Sequence, residues 1–321
     1  MSTKNRVLFV VNKYWECDPV CWVLTNKYIN EKCHVSIPWP SLIHYPTYGP
    51  ENVGTPRMVF SLDSCNVEIW CISDLLARFP NESNYQSSSE RKMQVMPDIF
   101  SYSSDPVQMV IAVGTASCGP FCPSFDNKAQ DNINGSVIVG SNIFVHDGHP
   151  SSDPNPYSQW RWKYMDTLMP SSLDTSIFSN LRNSVPYRNL ESLLLTPPTN
   201  PGPSGIHVYN DIEFIALSDV NVTNYEEYEV KDKATGDAFK QHCPENQCGV
   251  SLETTHGLIY AQAMESVSHG SPPPFAFISG IVDRYLHFST DVNPKPYAQN
   301  VSGAHNAGVV VACLVESLSR G

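Results

Sequence analysis

The chain has 321 residues, of which 41% are hydrophobic, enough for the core of one large α/β domain. This hydrophobic content argues against global disorder. The formal net charge of −12 argues against a nucleic-acid backbone as partner, because such binding needs clustered lysine and arginine side chains.

Hydropathy and cysteine spacing predict a cytoplasmic protein. No apolar run of about 18 residues is present, so we expect no membrane span. The first apolar run, residues 7–11, is too short for a secretory signal. The ten cysteines are scattered and lack the dense framework of a small secreted domain. We therefore expect reduced, mostly buried thiols.

In the first half of the chain, short β-branched runs predict strands. The predicted strands cover residues 7–11, 58–62, 67–72, 108–113 and 136–145. We interpret residues 12–19 as a polar loop and residues 20–29 as a helix. The serine-rich stretch 80–106 fits either a helix or a mobile crossover.

In the second half, residues 147–206 form the longest weakly patterned stretch. A structureless loop of that length is improbable inside a compact domain. We therefore expect an insertion that contains a helix near residues 190–195 and that covers the substrate or contacts another subunit. Beyond it the pattern predicts strands at 213–218 and 275–281, and helices at 253–266 and 306–318.

The alternation of strands and helices predicts the fold class. We expect a single α/β domain over residues 1–321, with a central mixed, largely parallel twisted sheet flanked by helices. No internal repeat and no domain boundary is evident.

A glycine-rich stretch follows the predicted strand 108–113. Residues 114–119 read Gly-Thr-Ala-Ser-Cys-Gly, and a turn of this composition offers backbone N–H groups with little side-chain obstruction. In an open α/β sheet such a turn faces the crevice where ligands bind. We expect Gly114, Thr115 and Ala116 to contact a ligand, although a tight connection without a ligand also fits. We interpret Cys118 as a small buried thiol and not as a nucleophile, because the sequence places no His/Asp partner beside it.

Two acids stand at the ends of apolar segments. Glu253 precedes a predicted helix, where its carboxylate can accept hydrogen bonds from two adjacent sugar hydroxyls; the alternative is an ordinary first-turn acid that complements the helix dipole. Asp283 ends the run 275–282. Its poor solvation suits a general acid that protonates a leaving base, and the alternative is a capping or salt-bridged aspartate beside Arg284.

Two further acids, Glu16 and Asp18, follow the first predicted strand. Either could orient or deprotonate an attacking water, although surface acids in a loop are the commoner case. No metal or cofactor is expected: the candidate ligands His146, His149 and His242 lack a second pair at zinc-type spacing. A P-loop, a dinucleotide fingerprint and a nucleophile elbow are also missing from the sequence.

These stretches, in this order, resemble the purine nucleoside phosphorylase/nucleosidase superfamily, which includes the methylthioadenosine nucleosidases. Residues 114–119 are similar to its glycine turn, Leu252 and Glu253 to its Met-Glu pair, and Val282 with Asp283 to its Ser-Asp strand end. The resemblance implies that Glu253 binds the ribose hydroxyls while Asp283 donates a proton toward N7 of a purine. An uncharged nucleoside is compatible with the acidic composition.

The departures from the family pattern favour water over phosphate as nucleophile. Phosphorylases carry a phosphate-binding arginine before the glycine turn, whereas this chain has Ala112 there. Without such cations a phosphate dianion would pay a heavy desolvation cost. By resemblance Glu16 matches the water-activating glutamate of the nucleosidases, with Asp18 as the alternative. By resemblance Arg57 lies near the position where some phosphorylases place another phosphate-binding arginine, so phosphorolysis stays an alternative.

For the base pocket, the resemblance aligns residues 218–222 with a segment that contacts the purine. Asn221, followed by Val222, then stands where an aromatic ring normally stacks on the base. Stacking would come from elsewhere, for example from Trp160 and Trp162, or Asn221 would hydrogen-bond an unusual base.

The sequence therefore predicts a nucleosidase that hydrolyses the N-glycosidic bond of a purine-type nucleoside without a cofactor. The alternatives are a phosphate-dependent phosphorylase and a non-catalytic nucleoside-binding or storage relative. The expected partner is a small-molecule nucleoside, with no nucleic acid or membrane. The resemblance also implies a homo-oligomer.

Overall fold

The computed structural model describes residues 4–25, 42–44, 54–79, 89–118, 133–146, 168–169, 190–198, 203, 205–219, 249–266, 271–284 and 297–320. The candidate base-pocket residues Asn221, Val222, Trp160 and Trp162 lie outside these ranges, as does most of the predicted insertion 147–206.

Twelve strands and six helices are formed by the described residues. The strands are β1 (Asn5–Val11), β2 (Leu42–His44), β3 (Met58–Ser61), β4 (Cys65–Cys71), β5 (Val107–Cys118), β6 (Val137–Gly140), β7 (Asn142–His146), β8 (Leu168–Met169), β9 (Val208–Asn210), β10 (Ile215–Asp219), β11 (Gly249–Glu253) and β12 (Phe275–Arg284). The helices are α1 (Tyr14–Thr25), α2 (Ile72–Leu76), α3 (Ser89–Val95), α4 (Pro97–Ser101), α5 (His256–Glu265) and α6 (Tyr297–Arg320).

All twelve strands belong to one branched sheet. Its main path runs β2-β3-β4-β1-β5-β11-β10-β7-β8, while β12 pairs with β5 and carries β6 and then β9. The pairs β1–β4, β1–β5, β5–β12, β10–β11, β7–β10 and β6–β9 are parallel. The remaining pairs are antiparallel. The predicted fold class, a mixed and largely parallel sheet flanked by helices, is confirmed.

Both faces of the sheet are buried, which explains why its central strands are continuous apolar runs. In β1, Val7 and Phe9 point to a core shared with α1 and α6. Leu8 and Val10 point to a second core shared with α2, α3, α4 and α5. By length and composition the segment Ala298–Ser319 of α6 could cross a membrane, but 78% of its apolar window is buried inside the protein, as in a core helix.

The sheet forks at β5. The first part of β5 pairs in parallel with β1 as far as Val113. Ser117 and Cys118, further along the same strand, pair with β11 in antiparallel orientation. On its other edge β5 pairs with β12 from Val110 to Cys118. The strands β1 and β11 therefore diverge beside the middle of β5. Such a switch in strand order opens the crevice in which ligands of α/β proteins bind.

Several local predictions were wrong. The stretch from Gly114 to Cys118 is strand and not turn, because β12 pairs with it along its length. The predicted loop 12–19 contains the start of α1, which includes Pro19 and packs its buried side chains on α6. Glu253 ends β11 and α5 begins only at His256. The terminal helix begins at Tyr297, and the helix expected near residue 190 is a 3₁₀ turn.

Candidate active site

A cavity of about 190 Å³ lies at the fork of the sheet. Four segments line it: the end of β1 with the first turn of α1, the middle of β5, the end of β11 with the start of α5, and the end of β12. These segments are distant in the chain, and the parallel pairing of β1, β5 and β12 brings their carboxyl-terminal halves together.

Most of the sequence-predicted site residues lie in this one cavity. Those that line it are Glu16, Gly114, Thr115, Ala116, Leu252, Glu253 and Asp283. Asp18 does not line it, and Asn221 and Val222 lie outside the described residues.

Glu16 is fixed against β5. It lies in the first turn of α1 and is 4% exposed. The backbone N–H and the hydroxyl of Thr115 both donate to its Oε1 at 2.7 Å, and the backbone N–H of Lys13 donates to its Oε2 at 3.0 Å. Hydrogen bonds to an ionised acceptor are short and strong. They hold a negative charge at a defined place on the cavity wall.

Glu253 joins β11 to α5 through its side chain. Its Oε2 accepts hydrogen bonds from the backbone N–H groups of Thr255 and His256, the latter at 2.7 Å. These are amides at the start of α5, where a carboxylate is favoured. Its Oε1 is buried and has no hydrogen-bond partner within the described structure. One oxygen therefore complements the helix, and the other is left for a further partner.

Asp283 lies opposite Ser117 in the β5–β12 pair. The Ser117 hydroxyl donates to Asp283 Oδ1, and the Asp283 side chain belongs to a residue that is only 3% exposed. Every residue of β12 is buried. The strand therefore delivers an acid into the cavity from the interior of the sheet.

Asp18 does not line the cavity and pairs with Arg57. The same guanidinium binds both carboxylate oxygens of Asp74, with Nε–Oδ2 at 2.5 Å and Nη2–Oδ1 at 2.7 Å. Such a bidentate pair fixes the guanidinium geometrically. Arg57 thereby ties α1 to α2, and both of its acidic partners lie outside the cavity lining.

Two buried lysines near the site were not predicted from the sequence. Lys13 lines the cavity, and burial lowers its pKa although nearby Glu16 opposes the shift. Lys92 on α3 donates to Thr255 Oγ1 at 3.1 Å. Burial and then Lys13 lower the pKa of Lys92 to about 7, against the opposing effect of Glu253 and Glu16. Nothing in the serine-rich stretch around Lys92 signals that its side chain turns inward.

Four buried polar atoms around the cavity have no hydrogen-bond partner in the described parts of the chain. They are Asn12 Oδ1, Trp15 Nε1, Glu253 Oε1 and His256 Nδ1. Buried polar groups in native proteins are nearly always hydrogen-bonded. Four exceptions lining one cavity therefore indicate a ligand site.

The cysteines contribute no nucleophile or metal centre among the described residues. Six cysteines lie in the described ranges; all six are buried, and none of them forms a disulfide. Burial, and secondarily the charge of Asp283, raises the pKa of Cys118 to about 12, so this thiol is neutral and unreactive near pH 7. Within the same ranges no three His, Cys, Asp or Glu side chains converge as a metal site requires.

Comparison with known proteins gives a result at the level of fold. No family model and no curated protein matches the sequence. The 5′-methylthioadenosine/S-adenosylhomocysteine nucleosidase of Neisseria meningitidis, in complex with methylthio-immucillin-A, matches with a TM-score of 0.51 at 13% identity, over 98% of this chain and 99% of that one. The corresponding Helicobacter pylori enzyme matches with a TM-score of 0.50 at 9% identity, over 98% and 99%. The chain thus has the nucleoside phosphorylase-like fold of these nucleosidases.

Proposed function

We propose that the chain is a nucleosidase that hydrolyses the N-glycosidic bond of a purine-type nucleoside to free base and sugar. The observation that carries this proposal is that Glu16, Glu253 and Asp283, which come from three separate segments, line a single cavity at the fork of the sheet. The substrate class follows the solved structures of the same fold, which act on 5′-methylthioadenosine and S-adenosylhomocysteine.

In the proposed mechanism the acids act on different parts of the substrate. Asp283 protonates the base as the C1′–N bond breaks and its electron pair passes to the base nitrogen. Glu253, with its unpartnered Oε1, binds the sugar hydroxyls. The sugar acquires oxocarbenium character, and the fixed carboxylates of the cavity stabilise that positive charge. Water, steered by Glu16, attacks C1′.

The contacts of Glu16 favour water over phosphate as the nucleophile. The N–H and hydroxyl of Thr115 are donors that an anion could use, but both bind Glu16 Oε1. A phosphate dianion would have to approach the buried Glu16 carboxylate, at a high electrostatic cost. Arg57, the phosphate-binding candidate, is bound to Asp18 and Asp74. We therefore assign water steering to Glu16 and not to Asp18.

The test is an assay for free base over a nucleoside panel in phosphate-free buffer, followed by chromatography. Asp283→Asn should lower turnover by about 100-fold or more, since it removes the general acid, with the fold retained by circular dichroism. Asp63→Asn, a change of the same kind at an exposed position, is the matched control and should behave as the wild type. Strict dependence on added phosphate would make the chain a phosphorylase, and nucleoside binding without base release would make it a binding relative.

The proposal also covers the base pocket, the assembly and the cellular location of the protein. Asn221 and Val222 would contact the base, so Asn221→Ala should change the preference among purines. We also propose that the protein is a homo-oligomer and that it is cytoplasmic. The six buried cysteines of the described ranges, none of which forms a disulfide, support the cytoplasmic location, because reduced thiols are usual there. Size-exclusion chromatography with light scattering tests the assembly.

A further inference from the structure

Two unsatisfied polar atoms lie next to each other in the lining of the cavity. Glu253 Oε1 is 3.9 Å from His256 Nδ1, and the two side chains are only 5% and 3% exposed. Neither atom has a hydrogen-bond partner among the described residues, although both residues line the cavity. A buried polar atom without a partner destabilises a fold, and native proteins nearly always supply one. Two such atoms side by side therefore indicate one ligand group that binds both.

The junction of β11 and α5 fixes the two side chains relative to each other. Glu253 ends β11, and His256 is the first residue of α5. The backbone N–H of His256 donates to Glu253 Oε2 at 2.7 Å, so Oε1 is the oxygen left for a further partner. The imidazole ring also lies near the ring of Phe277, with centroids 6.0 Å apart. Because the pair is already ordered, binding of a ligand between its two atoms costs little conformational entropy.

The chemistry of the two atoms defines the group that fits between them. A carboxylate oxygen only accepts hydrogen bonds. Nδ1 faces that carboxylate, which favours a ring with a proton on Nδ1, so this nitrogen is a donor. The ligand group must therefore donate to Oε1 and accept from Nδ1, and a hydroxyl does both through one oxygen. Two hydrogen bonds of about 2.7–2.9 Å can meet at one oxygen across the observed 3.9 Å. A carbonyl, an ether or an ammonium group would satisfy only one of the two atoms.

We propose that His256 is a specificity-determining residue, whose Nδ1 donates to the same sugar hydroxyl that donates to Glu253 Oε1. This inference rests on the proposed nucleosidase function and deepens it, because the site then selects ribonucleosides through one hydroxyl of the 2′,3′ pair. A sugar that lacks this hydroxyl leaves a carboxylate and an imidazole buried and unpaired, and such sites discriminate strongly against the analogue. No proton is transferred in this contact, so Glu16 and Asp283 keep the roles assigned to them above.

The test compares a ribonucleoside with its 2′-deoxy and 3′-deoxy forms by kcat/KM for base release. In the wild type, one of the two deoxy forms should be about 100-fold poorer than the ribonucleoside. His256→Phe keeps a ring at this position but removes the donor, so kcat/KM for the ribonucleoside should fall about tenfold. The discrimination against that deoxy form should then shrink from about 100-fold to about tenfold. Differences in the lability of the glycosidic bond cancel, because each nucleoside is compared with itself in the two enzymes.

Two polar variants separate the hydrogen bond from packing. The amide nitrogen of His256→Asn is two bonds from Cβ, as Nδ1 is, whereas that of His256→Gln is three bonds away, as Nε2 is. His256→Asn should therefore retain more of the discrimination than His256→Gln, and this pair carries the test if His256→Phe does not fold. The matched control is His207→Phe, at an exposed position that does not line the cavity. It should behave as the wild type with all three nucleosides.

The outcomes distinguish this inference from the proposed function. If the wild type releases base but is indifferent to both hydroxyls, or if His256→Phe discriminates as the wild type does, the inference is wrong and the nucleosidase function stands. An equal loss with all three nucleosides in His256→Phe, without recovery in His256→Asn, would show that the ring only packs and would also overturn it. If the wild type releases no base from any nucleoside, the proposed function fails and this inference falls with it.

Discussion

The position of Lys92 on α3 determines how far its side chain is protonated near neutral pH. The side chain is 5% exposed, and its ammonium group donates to Thr255, next to the amides that bind Glu253. Burial lowers the pKa of Lys92 from 10.5 to about 7, with Lys13 acting in the same direction and Glu253 and Glu16 in the opposite one. A buried cation that titrates near neutrality makes stability depend on pH.

We expect the free energy of unfolding to rise with pH between about 7 and 10 because of Lys92. Across this range the unfolded chain keeps a proton that the folded chain has released, so the unfolded state binds more protons. The buried ammonium of Lys92 destabilises the folded state fully below pH 7, and this destabilisation disappears as the pH approaches 10.5. One proton allows a slope of at most about 1.4 kcal/mol per pH unit. Lys92→Met should lack this slope in urea unfolding curves.

The matched control for Lys92 is Lys4→Met. Lys4 is only partly buried, with its ammonium on Ser61 and the Leu62 carbonyl. This variant should keep the wild-type pH slope. Equal slopes in wild type and Lys92→Met would show that the buried ammonium is not the titrating group.

At the scale of elements, the sequence could predict what depends on local pattern. The apolar runs of β1, β4 and β12 are long and β-branched, and the structure has strands there. The continuation of β5 through Gly114 could not be predicted, because it depends on pairing with β12, which lies far along the chain. Similarly, α1 begins early because its buried face packs on α6, which is a tertiary effect on a segment of weak propensity.

The same distinction applies to the candidate site. Glu16, Glu253 and Asp283 were predicted because each stands at the end of an apolar run, and the structure places all three in one cavity. Asp18 was an equal candidate by position, and only the pairing with Arg57 separates it from Glu16. Lys92 was missed because its position is defined by a contact across the fold, with Thr255.

A glycine contact sets the position of α6 on β12. A Cβ atom on Gly280 would lie 2.0 Å from the carbonyl oxygen of Gly303, so helix and strand touch by their backbones. We expect Gly280→Ala to push α6 away and to reduce the free energy of unfolding by about 3 kcal/mol, the upper range for overpacking. Chemical denaturation measures this loss.

The control for the glycine contact is Ser302→Ala on the same helix. It removes only a hydroxyl that bonds the carbonyl of Ala298 and should change stability by less than about 1 kcal/mol. Gly280 also lies shortly before Asp283 on β12, so the proposed base release should fall with stability in Gly280→Ala. Equal unfolding curves for wild type and Gly280→Ala would mean that α6 does not approach β12 so closely.

At the scale of the whole molecule, the branched sheet gathers acidic side chains at its fork. The chain carries a formal net charge of −12, and three of its acids line the cavity, where Lys13 is the one lysine among the described lining residues. Charges of one sign in a cleft with low-dielectric walls reinforce one another. The fork thus provides an electrostatic environment that suits a neutral nucleoside or a developing cation, and that opposes an anion.

We therefore expect discrimination against nucleotides. A nucleoside 5′-monophosphate should show a kcat/KM about 100-fold below that of the matching nucleoside, because a dianion must enter a cavity lined by the buried acids Glu16 and Glu253. Raising the ionic strength to about 0.5 M should narrow the difference only in part, since salt screens the distant charges of the chain but not those in the cavity. Lys13→Met should widen the difference, because it removes the cation from the lining. Equal kcat/KM values for nucleoside and nucleotide would show that the charges at the fork do not select the substrate.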